Sequence, residues 1–233
     1  MEQEQQDTIL GKDDYSPGLV EVRGKKILLI GYSVFSGFQL NPSEEIITRL
    51  DGADINGYRV EGLLLPVSYR YVQGTLPRIL EEEQPDIALG IGLAPRATRP
   101  VIELVASNVA SFRISDDGGA LVGYEYVAGS GLEAVRTTLP VSSILDECRR
   151  RGLDIVAGVS IGTYLCGIAG YYIMKYAETH KRIGGFIHIP PSTELAMRHG
   201  LRNYVSLSIL LEIIKCVLET VTGALQASQQ SSQ

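Results

Sequence analysis

The sequence predicts an α/β fold, a single-domain three-layer α/β/α sandwich with a mostly parallel, twisted central sheet. Apolar strand-like runs alternate with helical runs along the chain, and this order is typical of a parallel sheet with helices on both faces. The length of 233 residues, 45% of them hydrophobic, is enough for one domain with a sizeable core. One domain is therefore the economical interpretation.

The first strand and the first helix are separated by an aromatic loop. KKILLIGY, which begins at Lys25, is typical of a buried parallel strand. Asn41 suits the N-cap of the following helix and Glu44 its third position, a start like a capping box. Tyr32 and Phe35 lie in the loop, where a parallel sheet binds ligands. Their rings indicate either a flat apolar ligand or simple cover for the end of the sheet.

The middle of the chain continues the alternation. A strand is predicted near Gly62–Tyr69, a helix from about Gly74 to Glu83, and a strand ending at Ala94. A strongly amphipathic helix follows Pro140 and stops at Gly152. These elements are the ones that a doubly covered sheet requires.

The two ends of the chain differ in composition from its middle. Residues 1–24 are polar and lack a sustained period, which predicts a disordered extension, a domain at 25–223 and a polar tail at 224–233. The opening segment has neither the basic start nor the apolar core of a signal peptide, and no apolar run approaches the length of about 18 residues that spans a membrane. We therefore expect a cytoplasmic protein that contacts no membrane. The formal charge of −6 argues against a nucleic-acid partner.

The segment from Asp154 to Pro190 is predicted to form a strand, a helix and a second strand, and two of its residues indicate nucleophilic chemistry. Cys166 falls in the first turn of the predicted helix, where unpaired N–H groups and the helix dipole lower a thiol pKa. His188 lies at the far end of the next strand, which reaches the same edge of the sheet. The two residues are a candidate thiolate–imidazole couple. Inert packing of both is the alternative that spacing leaves open.

Glu103 stands between two apolar residues. A carboxylate there either lies on the wet face of a half-exposed strand or accepts a hydrogen bond that orients an imidazole. The loop after the first strand lacks G-x-G-x-x-G and the Walker lysine, so no nucleotide or other cofactor is expected. The cysteines lack C-x-x-C spacing, so we expect neither a metal site nor a disulfide framework. They are Cys148, Cys166 and Cys216.

The last predicted helix, from Tyr204 to about Thr222, is apolar on nearly every face. One face of a domain covers only part of such a helix, so we expect a second subunit to cover the rest. Complete burial within the monomer is the alternative. Symmetry would then place Cys216 near its own copy in the partner, open to oxidation across the interface.

Four stretches of this chain resemble the type I pyroglutamyl peptidases, in that family's order. ILLIGYSVFSGFQLNPS is similar to its TGFxPFGGxxxNPS segment and GLAPRATRPVIELVASN to its GxAxGRxxxxxERVAxN segment. SIGTYLC is similar to SAGTYxC, and GGFIHIP to GFIHVP. The resemblance extends from about Lys25 to Gly200. It implies a cysteine exopeptidase that releases N-terminal pyroglutamate from peptides through a thioester, and a homotetramer.

The resemblance implies roles for individual residues. Cys166 is the nucleophile, His188 the base and Glu103 the residue that orients it. The two loop rings are expected to sandwich the flat lactam, and backbone groups near Pro66 and Val67 to pair with its amide. The residues expected to bind substrate are Tyr32, Phe35, Asn41, Pro66, Val67 and Arg96.

Three departures from the family pattern motivate an alternative. The family's Gly-Arg before the glutamate aligns with Arg96 and Ala97, so the arginine sits one place early. The Asn after the nucleophile is Gly167, and the loop's Glu-Pro is replaced by Ser33 and Val34. Loss of a polar group beside the nucleophile is expected to weaken oxyanion stabilisation. The alternative is therefore a catalytically weak relative that binds pyroglutamyl peptides or another small ligand.

Overall fold

The structure, a computed structural model, describes residues 25–34, 37–129 and 131–230. Within these ranges the chain forms nine strands and six helices. In chain order they are β1 (Lys26–Tyr32), α1 (Pro42–Leu50), β2 (Asp54–Ile55), β3 (Tyr58–Leu65), α2 (Tyr69–Glu83), β4 (Ile87–Leu93), β5 (Val101–Glu103), β6 (Val105–Ser107), β7 (Ala134–Arg136), α3 (Val141–Arg150), β8 (Val156–Gly158), α4 (Leu165–His180), β9 (Ile183–Ile189), α5 (Thr193–His199) and α6 (Leu207–Gln230).

The central sheet has seven strands in the order β2, β3, β1, β4, β9, β5, β8. The inner strands β3, β1, β4 and β9 are parallel to one another. β5 runs antiparallel to β9 and parallel to β8, and β2 runs antiparallel to β3. The predicted mostly parallel sheet is confirmed, and β6 pairs with β7 in a separate ribbon.

Helices cover both faces of the sheet, as the strand–helix alternation predicts. Alternate residues of β1 enter two separate apolar cores, Ile27 and Leu29 on one face and Leu28 and Ile30 on the other. The first core also contains the buried faces of α1, α3 and α6, and the second those of α2 and α4. The three-layer α/β/α sandwich is therefore confirmed.

The start of α1 follows the sequence signal except in one detail. Asn41 is the N-cap, and its side chain accepts a hydrogen bond from the backbone N–H of Ser43. The predicted capping box is wrong, because the Glu44 carboxylate accepts from the N–H of Val34 at 2.9 Å. Glu44 therefore secures the preceding loop to the helix.

The predicted strand near Gly62–Tyr69 is displaced. β3 spans Tyr58–Leu65, and Tyr69 is already the first residue of α2. The backbone N–H of Tyr69 donates to the carboxylate of Asp116 at 2.5 Å, and Asp116 lies 47 positions along the chain. A side chain remote in sequence thus accepts a hydrogen bond from an N–H at the start of α2. Local sequence patterns therefore do not predict where this helix begins.

The last helix is longer and more enclosed than predicted. α6 continues to Gln230, so the first part of the predicted polar tail at 224–233 is helical. Most of its apolar residues are buried within this chain, since α6 packs against α3 and α1. Those at most 1% exposed are Leu210, Ile213, Ile214, Val217, Leu218 and Val221. Burial within the monomer, the alternative to a second subunit, therefore accounts for most of this helix, and the exposed Ile209 is an exception.

Cys216 does not lie at the surface, contrary to the prediction that it faces its own copy in a partner subunit. It is completely buried, and its Sγ lies 2.9 Å from Sγ of Cys148 in the same chain. The sequence pattern missed this proximity because the two cysteines belong to helices separated by 68 positions.

Candidate active site

Strand register brings Glu103 and His188 together. β5 and β9 are antiparallel, with Val101 opposite His188. Glu103 lies two residues from Val101, so its side chain is on the same face of the sheet as that of His188. Nδ1 of His188 and Oε1 of Glu103 are 2.8 Å apart. The alternative that Glu103 lies on the exposed face of a strand is excluded, since the residue is 6% exposed.

Two glycines lack the side chains that would otherwise fill the space occupied by Glu103 and Cys166. A Cβ at Gly158, on β8, would lie 2.9 Å from Oε2 of Glu103. A Cβ at Gly92, on β4, would lie 2.7 Å from Sγ of Cys166. Gly92 is directly opposite His188 in the pairing of β4 with β9. The thiol therefore lies over the sheet beside the imidazole.

Cys166 is the second residue of α4, as the strand–helix pattern predicts. The N–H of Ile168 bonds to the carbonyl of Tyr164, so the N–H groups of Leu165, Cys166 and Gly167 have no carbonyl partner within the helix. These groups and the dipole of a helix of 16 residues give the thiol an electropositive setting. The same N–H groups are suited to an oxyanion.

Hydrogen bonding decides the charge of His188. Burial opposes a positive charge, but hydrogen bonds with Cys166 and Glu103 outweigh it and raise the pKa of His188 to about 9. Because Nδ1 faces Glu103, Nε2 is the nitrogen left for the thiol. With its pKa raised to about 9, the ring holds its proton at neutral pH. Such a pair is prepared for nucleophilic attack followed by proton transfer.

The thiol opens into a small cavity of about 70 Å³. Its walls are largely aromatic and aliphatic, which suits a neutral, compact ligand group. The lining residues are Tyr32, Asn41, Val67, Leu93, Tyr164, Leu165 and Cys166.

Tyr32 lies in the cavity wall but not as the exposed loop ring that the sequence suggested. It is the last residue of β1 and is 5% exposed. Its hydroxyl donates to the carbonyl of Leu165 at 2.7 Å, and burial raises its pKa well above the ordinary value. Tyr32 thus ties the strand end to the residue before Cys166. Phe35, its predicted partner, lies outside the described residues.

Asn41 lines the cavity while its own amide is already engaged. Nδ2 donates to the carbonyls of Tyr32 and Ser33 at 2.9 and 3.1 Å. Oδ1 accepts from the N–H and the hydroxyl of Ser43. In this structure Asn41 therefore connects the end of β1 to the start of α1.

The remaining predicted binding residues are distributed unevenly. Val67 lines the cavity, and its carbonyl accepts from the N–H of Asp117 at 3.1 Å. The carbonyl of Pro66 accepts from the N–H of Ser68 at 2.8 Å. Each carbonyl oxygen retains a second lone pair for a ligand. Arg96 is exposed and is not among the residues that line the cavity, because its segment turns outward after β4.

Several residues of the site carry no recognisable sequence signal. The space left by Gly92 and Gly158 depends on strand register, which pattern analysis does not provide. Tyr164 is the N-cap residue of α4 and contributes a ring to the cavity wall. The departure at Gly167 also has a structural reason, since a Cβ there would collide with the carbonyl of Gly162. An Asn does not fit on this backbone.

The described residues form neither a cluster of metal ligands nor a membrane-spanning helix. Over the residues with described positions, no group of three or more His, Cys, Asp or Glu side chains is arranged to hold a metal ion. Within the same ranges, no helix combines the length and apolar character needed to cross a bilayer.

Comparison with known proteins identifies the family. A family model described as pyroglutamyl peptidase matches residues 25–228. A pyrrolidone-carboxylate peptidase of Pyrococcus furiosus is 35% identical over 167 residues, which are 71% of this chain and 80% of that protein. One of Chromobacterium violaceum is 35% identical over 175 residues, 75% of this chain and 82% of its own length. The chain therefore belongs to the pyroglutamyl peptidase family.

Solved structures agree with this assignment. The crystal structures of pyrrolidone carboxyl peptidase from Pyrococcus furiosus and its Cys-free mutant include a chain that superposes with a TM-score of 0.82 at 31% identity. The match covers 86% of this chain and 99% of that chain. The resemblance inferred from four motifs is confirmed, and the protein is a hydrolase of the pyroglutamyl-peptidase type.

Proposed function

We propose that this protein removes an N-terminal pyroglutamyl residue from peptides, with Cys166 as nucleophile, His188 as acid and base, and Glu103 as the residue that orients His188. The observation that carries the proposal is the 2.8 Å contact of Glu103 with His188, whose other hydrogen-bond partner, Cys166, lines the cavity. The name of the matching family, pyroglutamyl peptidase, supports the same substrate.

The charges of the site suggest the order of events. The Cys166 thiolate attacks the pyroglutamyl carbonyl, and the imidazolium of His188 protonates the departing amine. The products of this half-reaction are a thioester on Cys166 and a shortened peptide. The neutral His188 then accepts a proton from water, which attacks the thioester and releases pyroglutamate. Glu103 keeps Nδ1 engaged throughout.

Oxyanion stabilisation rests on the backbone. The N–H groups at the start of α4, including that of Cys166, have no acceptor within the helix and are assigned as donors to the developing charge. Gly167 offers no side-chain amide for this task. The hydrogen bond from Tyr32 to the Leu165 carbonyl holds the peptide unit that carries the Cys166 N–H. A rigid donor partly offsets the missing amide.

Lactam recognition is assigned to the cavity itself. The rings of Tyr32 and Tyr164 offer flat apolar surface to a five-membered ring, and the carbonyls near Pro66 and Val67 offer acceptors for its N–H. The matching role for Phe35 rests on its place in the loop motif. Asn41 forms part of the cavity wall with its amide already engaged, and the exposed Arg96 is assigned only as an outer contact.

The alternative of a weak relative that only binds ligand is not favoured. It rested on Ala97 and Gly167, and the collision at Gly167 gives that substitution a packing reason. A binding protein also has no need of a charged imidazole against a thiol.

The proposal extends to assembly and location. We assign the protein to the cytoplasm, where a free thiol nucleophile stays reduced. We also propose a homo-oligomer, a tetramer as in the family resemblance, that uses the exposed side chains of Tyr204, which precedes α6, and of Ile209 in its first turn. Light scattering is the test. A mass near the 25.3 kDa of one chain would refute it, and Ile209→Glu should give smaller species.

Turnover of a chromogenic pyroglutamyl amide tests the activity. The parent protein should release the chromophore, while the prolyl amide, which lacks the lactam carbonyl, should be a far poorer substrate. Cys166→Ala should abolish turnover, and the control Cys148→Ala, whose thiol is far from the cavity, should retain it. A folded parent that binds pyroglutamate without turnover would favour the ligand-binding alternative.

A further inference from the structure

A second pair of thiols lies outside the proposed active site. Cys148 on α3 and Cys216 on α6 are both completely buried, and their Sγ atoms are 2.9 Å apart. A disulfide bond is about 2.05 Å long, so the two sulfur atoms need to approach by only about 0.9 Å to be bonded. The peptidase reaction uses neither thiol.

The surroundings hold the two helices in register at this point. Arg151, which follows α3, pairs with Glu147 on α3 at 2.7 Å and with Glu219 on α6 at 2.5 Å. Glu147 is adjacent to Cys148, and Glu219 is one helical turn from Cys216. The charged bridge therefore lies beside the thiol pair and links α3 to α6 at this point.

In the folded chain the pair is chemically quiet. Burial raises the pKa of Cys148 to about 12, and its hydrogen bond with Cys216 acts in the same direction. A protonated thiol is a poor nucleophile, and no oxidant reaches a fully buried sulfur. Reaction is therefore confined to states in which α6 has not yet packed against α3.

We propose that Cys148 and Cys216 form an intrachain disulfide that ties α3 to α6 when the chain folds in the presence of a low-molecular-weight disulfide. While α6 is undocked, one cysteine thiolate attacks the small disulfide, which gives a mixed disulfide and one small thiol. Docking then brings the second cysteine to the mixed disulfide. Its thiolate forms the Cys148–Cys216 bond and expels the second small thiol. The two cysteines lose two protons and two electrons, and the small disulfide is reduced to two thiols.

Once enclosed, the bond has two consequences. It closes a long loop between positions 68 apart, which contains both Cys166 and His188, and so reduces the entropy of the unfolded chain. Its burial also excludes thiol reductants, which must reach a sulfur atom to attack. The disulfide is thus compatible with a reduced nucleophile elsewhere in the protein.

The experiment uses the Cys166→Ala protein, in which Cys148 and Cys216 are the two remaining cysteines. The full chain is unfolded in denaturant and refolded with either oxidised or reduced glutathione. It is then alkylated in denaturant, weighed by mass spectrometry and digested. No substrate enters this test, so its outcome is separate from that of the proposed activity.

With oxidised glutathione the monomer should lose two hydrogen atoms, take up no alkyl group and yield one cross-linked peptide that contains both cysteines. Its Tm should exceed that of the reduced form by about 10 °C. Reduced glutathione should open the bond only after unfolding. The double variants that also carry Cys216→Ala or Cys148→Ala should show no oxidant-dependent Tm increase. Two alkylated cysteines, persistent glutathione adducts or disulfide-linked dimers in the oxidised sample would overturn the proposal.

Discussion

The carboxylate of Glu103 lies 2.8 Å from Nδ1 of His188, and both side chains are almost entirely buried. The contact crosses neighbouring antiparallel strands, so it is held by backbone pairing rather than by a flexible loop. A buried carboxylate in this position both orients the ring and favours its charged form. The expected behaviour of the site follows from this pair and from the thiol beside it.

Replacement of His188 should remove the acid and base together. His188→Ala is expected to lower kcat/KM by about 10³-fold or more, measured with a pyroglutamyl amide. His180 bonds to Glu81 and His199 packs on Phe38, both away from the cavity. His180→Ala and His199→Ala should therefore be nearly silent. Equal activity of His188→Ala and the parent would exclude His188 from the reaction.

Replacement of Glu103 should be less severe. Glu103→Gln keeps a hydrogen-bonding group of the same size but removes the negative charge, so kcat should fall by less than in His188→Ala. The pKa of His188 should fall as well, because a hydrogen bond and a charge that raise it are lost. The pH–rate profile separates this role from a merely structural one. An unchanged alkaline limb in a less active variant would contradict it.

Activity should decline on the alkaline side near pH 9. The proton that His188 gives to the leaving amine is present below its pKa of about 9 and is lost above it. The apparent value belongs to the thiol–imidazole pair rather than to one residue. Measurement of kcat/KM from pH 6 to pH 10.5 should show the decline, and a flat profile across about pH 9 would contradict the assignment.

The free energy of unfolding should also depend on the protonation of His188. Because the folded-state pKa of His188 is raised above 6.5, its stabilising contribution is complete below about pH 6.5 and is lost as pH rises through about 9. Urea unfolding at several pH values should show this loss in the parent. In His188→Ala the corresponding part of the pH dependence should be missing.

Alkylation should distinguish the three cysteines. Cys166 is partly exposed at a helix N-terminus, whereas Cys148 and Cys216 are buried. Iodoacetamide should therefore modify Cys166 first in the folded protein, and peptide mapping identifies the site. Faster labelling of Cys148 or Cys216 than of Cys166 would show that the nucleophile is misassigned.

Gly92 should tolerate no side chain. A Cβ there would lie 2.7 Å from Sγ of Cys166 and close to the ring of Phe186. Gly92→Ala is expected to displace the thiol and lower kcat by more than 10-fold while costing about 1–3 kcal/mol of stability from overpacking. The exposed Gly74→Ala, where a Cβ meets nothing within 4 Å, is the control. Unchanged kcat in Gly92→Ala would show that the thiol position is not critical.

Local sequence signals are sufficient for the sandwich architecture, for the start of α1 and for the location of Cys166 and His188 on their elements. Periodicity, caps and the ends of strands act over a few residues, so they can be recognised in the chain itself. The four sequence motifs indicated the family, and the match to the family model confirms it.

Other features depend on residues that are remote in sequence. The start of α2 depends on Asp116, the burial of α6 on its packing against α1 and α3, and the room for Cys166 on the register of Gly92. The proximity of Cys148 and Cys216 belongs to the same group. Such contacts form when whole elements dock, and the free energy that selects them comes from buried area and steric fit across the sheet. No short stretch of sequence carries that information.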